Sequence, residues 1–154
     1  MAPINRITRQ DVEHWGLFTN HGRNLLDYYQ EIATKSAVYP GQGSALGLLY
    51  CALKLNGEAG ELAEHVGKAM RDDALMFSVN AHSGEHGPNN LCATGQLTPE
   101  RYALIVKEVG DQLWYLSSIC NELGIRLSDA AGGNLAKLCD RGERDVLQGS
   151  GDER

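Results

Sequence analysis

Apolar residues recur along this chain at three- and four-residue spacing, the period of a helix. From about residue 23 to 38, Leu25, Leu26, Tyr29, Ile32, Ala33 and Ser36 trace one helical face. Pro40, Gly41 and Gly43 in "YPGQGS" then break the chain, and Ser44 stands where the N-cap of a second helix belongs. That helix is expected over about 45–71, with Ala52, Leu55, Ala59, Leu62, Ala63, Val66 and Met70 as its stripe. Gly57 and Gly60 weaken it by about 1 kcal/mol each relative to Ala, so tertiary packing has to hold it. Periodicity vanishes over about 72–98, which reads as an irregular insertion or a lid.

Thr98 followed by Pro99 marks the start of a third helix, and Gly124 stops it. Its stripe is Ile105, Val106, Val109, Leu113, Leu116, Ile119 and Cys120. A fourth helix is expected over about 129–141, with Ser128 as its cap and Gly132 and Gly133 as weak points. A short helix around "DVEHWGLF" is a further expectation near the start. No segment alternates convincingly as a strand. The expectation is therefore one all-α domain over residues 1–154, a bundle of four to five helices with a polar C-terminal tail.

Composition narrows the picture. A chain of 154 residues suits one domain with a full core, and 42% hydrophobic with 22% charged residues is ordinary for a soluble globular protein. The apolar runs fall far short of the roughly 18–20 residues a membrane span needs. Arg6, Arg9, Asp11 and Glu13 leave no apolar h-region near the start, which points to a cytoplasmic protein with no membrane partner. Cys51, Cys92, Cys120 and Cys139 show no CxxC spacing, so free thiols are expected. The formal charge of −6 argues against a nucleic-acid polymer as partner. An anionic ligand would need divalent cations or a local cluster of Lys and Arg.

Two stretches resemble sites and are read more simply. "GQGSALG" fits neither GxGxxG nor GxxxxGK[ST], and a turn before a helix explains it. His82, His86 and Cys92 have loose spacing and no evident fourth zinc ligand, and read as loop residues.

The carboxylates are more informative. Glu58 and Glu61 on the second helix, and Glu108 and Asp111 on the third, are each three apart, about 60° around a helix. Each pair lies on the shoulder of its apolar stripe, so packing of the stripes makes four carboxylates converge. Lys54 and Lys107, each four residues before an acid, offer only weak helix ion pairs. Converging carboxylates repel one another, and hard divalent cations relieve this. Such ions would also let an acidic chain bind a polyphosphate.

"EAGELAEHVGK" followed by "KEVGDQLWYL" resembles the ExxE…ExxD signature of the MazG-like, all-α nucleoside triphosphate pyrophosphohydrolases. "YYQEIATKSAVYPGQG" and "NLAKLCDRGERDVLQGSGDER" resemble the segments that flank the signature in that family. The resemblance implies Mg²⁺-dependent cleavage of (deoxy)nucleoside triphosphates to monophosphate and pyrophosphate, with Mn²⁺ as a substitute. It places the metal on Glu58, Glu61, Glu108 and Asp111, with Glu61 accepting the proton of water. It assigns substrate contacts to Lys68, Tyr115, Asn134, Lys137, Arg141 and Arg144. It also implies a homodimer or homotetramer in which helices from two chains complete the active-site bundle. A phosphoribosyl-ATP pyrophosphohydrolase-like enzyme and an inert helical dimerisation or regulatory protein are the alternatives.

Overall fold

The computed structural model describes residues 8–10, 19–20, 23–73, 76–80, 90–94 and 97–144. The fold is all-α. Four helices carry it among the described residues: α1 (Leu25–Ala33), α2 (Ala45–Asp72), α3 (Pro99–Glu122) and α4 (Leu127–Glu143). Ala52–Tyr115 form one compact unit, and Ile4–Cys51 with Leu116–Arg154 form another. The expected helix around "DVEHWGLF" and the C-terminal tail beyond residue 144 lie outside the described residues.

The helix ends follow the capping residues. The Asn24 side chain accepts from the Leu26 N–H at 2.9 Å and opens α1. Ser44 Oγ accepts from the Leu46 N–H at 3.2 Å ahead of α2, and Thr98 Oγ1 accepts from the Arg101 N–H at 3.2 Å ahead of α3. Arg101 stands where a capping-box acid would, and it pairs instead with Asp73 at 2.8 Å. At the far end of α3, Gly124 takes φ +67°. Its N–H donates to the Asn121 carbonyl and that of Ile125 to the Cys120 carbonyl, the Schellman pattern that a left-handed glycine permits.

The start of α4 differs from the expectation. The helix begins at Leu127, and the residue before it, Arg126, supplies no side-chain cap. Its first N–H groups are satisfied from α1: Leu127 N–H donates to Gln30 Oε1 at 2.7 Å and Ser128 N–H to Asp27 Oδ1 at 3.1 Å. Ser128 is thus inside the helix, because acceptors distant in sequence replace a local cap.

The Gly-rich turn is held by a glutamate. Glu122 Oε1 accepts from the Tyr39 hydroxyl at 2.6 Å, and Oε2 accepts from the N–H groups of Gly43 and Ser44 at 2.8 and 3.2 Å. The turn packs so closely that a Cβ on Gly47 would stand 2.5 Å from the Gly41 carbonyl oxygen.

The segment read as an irregular insertion contains an antiparallel hairpin, β1 (Thr19–Asn20) and β2 (Arg23–Asn24) having already paired near the start. In it β3 (Met76–Asn80) pairs with β4 (Asn90–Thr94), with Phe77 opposite Ala93 and Val79 opposite Leu91. Five-residue strands that, among the described residues, pair with each other alone offer too short an alternation to stand out from loop.

Burial corrects the helix faces. On α2, Cys51, Glu58 and Ala69 are buried, with Leu55, Leu62 and His65 half-buried between them. The inward seam therefore includes Glu58 itself, whereas Ala59, Ala63, Val66 and Met70 of the expected stripe are exposed. On α3, Glu108 is buried while Val106, Val109 and Leu116 are 48%, 52% and 43% exposed, so one chain leaves much of its apolar surface uncovered.

Candidate metal centre

Seven residues are close to two helical turns, so Glu58 and His65 project from nearly the same line of α2, about 20° apart. On α3, Glu108 and Gln112 are likewise one turn apart. At this level Glu58, Glu108 and Asp111 each offer a carboxylate oxygen within 4.8 Å of the other two. Glu58 is 8% and Glu108 1% exposed, so two of these carboxylates have little water to solvate them. Asp111, with its side chain 44% exposed, forms the open side.

Cationic side chains partly offset the repulsion. The Lys107 ammonium donates to Glu108 Oε1 at 3.1 Å and to Asp111 Oδ2 at 3.0 Å. These two bonds raise its pKa above the ordinary lysine value, Asp111 contributing first. Lys54 approaches Glu58 Oε1 at 3.6 Å. The His65 Nε2 atom faces Glu108 Oε1 at 3.8 Å. Glu108 Oε2, His65 Nδ1 and Gln112 Nε2 are buried without a protein partner.

These residues suit a hard divalent cation. The donor set is all oxygen, which such ions prefer.

The other expected site residues fall as follows. Glu61 is exposed and stands outside the trio. Lys68 is half-buried and paired with Glu64, one turn earlier. Tyr115 is half-buried, its ring edge-on to Trp114 with centroids 4.9 Å apart. On α4, Asn134 and Lys137 are exposed, Arg141 is half-buried, and Arg144 pairs with Asp140 at 2.7 Å. These α4 residues belong to the second unit and the carboxylates to the first. His82 and His86 lie outside the described residues, as does the Cys92 side chain.

Sequence reading missed His65 and Gln112. The signal was present in their spacing, seven after Glu58 and four after Glu108, but the seam had been drawn one residue away.

Carboxylates from two helices thus come together in an all-α fold, two of them buried and one oxygen lacking a protein partner, in a group that could hold a metal ion. The MazG nucleotide pyrophosphohydrolase domain matches residues 48–144, which contain every acid of the two pairs. The chain is also 37% identical over 132 residues to the "Gene 37 protein" of Mycobacterium phage L5, covering 84% of this chain and 98% of that protein. No solved structure matches. The chain belongs to the MazG nucleotide pyrophosphohydrolase family. Membership makes a nucleotide its substrate in general terms, and divalent-metal dependence is typical of the family.

Proposed function

We propose that this protein hydrolyses (deoxy)nucleoside triphosphates to the monophosphate and pyrophosphate in a Mg²⁺-dependent reaction, Mn²⁺ substituting. The observation that carries the proposal is the trio Glu58, Glu108 and Asp111, the first two buried, with Glu108 Oε2 unpartnered. A bound divalent cation would supply Lewis-acid polarisation of the phosphates and a more acidic water.

The chain's own residues do the rest. Glu58, Glu108 and Asp111 hold the ion. Lys107, with its side chain 61% exposed, has room to turn toward solvent were a cation bound. Glu61 is the carboxylate outside the trio, and it accepts the proton of the attacking water. Lys68 binds the phosphates and Tyr115 the base; the family resemblance assigns further phosphate contacts to Lys137, Arg141 and Arg144 and a sugar contact to Asn134. The uncovered apolar faces of α2 and α3 support assembly as a homodimer or homotetramer that completes the bundle. The setting is the cytoplasmic nucleotide pool, as a single domain that takes no nucleic-acid polymer. Among the described residues no helix is long and apolar enough to cross a membrane.

Incubation of a nucleotide panel with Mg²⁺ and chromatography of the products tests the proposal. Monophosphate with pyrophosphate is the expected pair, lost in Glu58→Gln and Asp111→Asn. Orthophosphate with diphosphate, or undiminished rates in those variants, would overturn it. Phosphoribosyl-ATP in the same panel separates the histidine-synthesis type of activity.

A further inference from the structure

We propose that His65 is a positioning residue for this centre: its ring holds Glu108 Oε1 so that Oε2 is turned toward the cation. The inference rests on reading the carboxylate trio as a cation site. Three observations support the role. The Nε2 atom of His65 is 3.8 Å from Glu108 Oε1, and the histidine side chain is only 17% exposed. Glu108 uses Oε1 for its protein contacts, while Oε2 is buried without one. The third is the ring's other nitrogen, Nδ1, also buried without a protein partner.

Of the two neutral tautomers, that last fact favours the one with its proton on Nε2. A neutral ring with its proton on Nε2 leaves only a lone pair unpaired at Nδ1 and points an N–H at the carboxylate. The opposite tautomer would bury an unpaired N–H and set a lone pair against a negative oxygen. Burying an unpaired donor is the costlier arrangement. At 3.8 Å the contact is longer than a hydrogen bond. Contacts of this kind are commonly long before ligand binds, and closure by under about 1 Å completes this one.

Lys107 is the other donor to Oε1, but it is poorly suited to fix a ligand. Its ammonium is shared with Asp111, and its long side chain is 61% exposed. His65 reaches Glu108 from the opposite helix with a short, stiff ring. A metal-bound carboxylate held through its second oxygen keeps its orientation, and loss of such an outer partner weakens metal binding by about 10–100-fold.

Mn²⁺ affinity, read from the EPR signal of the free ion, tests the role independently of turnover. His65→Ala is expected to weaken Mn²⁺ by about 10-fold with helicity retained, and His65→Gln, whose amide N–H reaches to a similar place, to restore most of it. Mg²⁺, measured by competition, should weaken by the same factor. Where the alanine variant loses helicity, His65→Leu keeps the bulk without the donor and replaces it. Unchanged affinity in these variants, or failure of glutamine to rescue, overturns the proposal. A loss confined to Mn²⁺ overturns it too, because it would make the imidazole a direct ligand. If wild type binds no Mn²⁺, or Glu58→Gln binds it normally, the cation-site reading itself falls and takes this inference with it.

Discussion

Replacing Glu108 by Gln should raise the stability of the metal-free protein while abolishing its response to divalent ions. The Glu108 side chain is 2% exposed, and one of its carboxylate oxygens lacks a protein partner. Leaving a buried polar group unpaired costs about 1–3 kcal/mol, and more when it is charged. Two further carboxylates approach within 4.8 Å, adding repulsion that Lys54 and Lys107 partly offset. The amide removes the charge and brings a donor that Glu58 or Asp111 can accept. Lys107 keeps its bond to Asp111, so the exchange loses little. A gain of roughly 2 kcal/mol follows, or about 4–8 °C in Tm for a domain of this size. Wild type should respond oppositely to saturating Mg²⁺ or Mn²⁺, gaining about 2.7 kcal/mol at one hundred times Kd, where the variant gains nothing. Thermal melts at one fixed protomer concentration, with chelator and with ion, should therefore show the two proteins exchanging rank. A variant less stable than wild type in chelator, or one still stabilised by the ion, would refute the reasoning.

Burial and the Glu122 hydrogen bond raise the Tyr39 pKa well above the ordinary tyrosine value, burial contributing more. The folded state therefore keeps the phenol proton that the unfolded chain releases from about pH 10, and stability should fall as pH rises beyond that point. Tyr39→Phe should cost about 1.5–3 kcal/mol near neutral pH by removing a bond to a carboxylate, and should flatten the alkaline decline seen in denaturant titrations. Leu53 and Val109 are 64% and 52% exposed in one chain. If association covers them, Leu53→Asp or Val109→Asp should shift the mass by light scattering toward the 16.8 kDa protomer. A wild type that is already monomeric and fully active would contradict that reading.

Much of this was legible in the sequence because it is written in local chemistry. The Ser44 and Thr98 caps and the Gly124 stop placed helix ends where a side-chain oxygen or a left-handed residue was needed. The start of α4 was illegible, since its caps, Asp27 and Gln30, lie about a hundred residues away in sequence. The two acid pairs were visible by spacing, but the seam was not. Glu58, His65 and Glu108 occupy core-facing positions without looking apolar, so a stripe drawn through Ala59, Ala63 and Val66 ran beside the true one. The same exchange of apolar for polar residues hid His65. On the proposed reading, these are positions where the local rule gives way to the chemistry of the site.

The most direct test of the central claim is phosphorus NMR of one nucleoside triphosphate with the wild-type protein and Mg²⁺, repeated with Glu58→Gln. Wild type should convert the three triphosphate resonances into those of a monophosphate and pyrophosphate, with no change in chelator or in the variant. Appearance of orthophosphate with a diphosphate, or equal conversion by Glu58→Gln, would contradict a cation-dependent pyrophosphohydrolase built on these carboxylates.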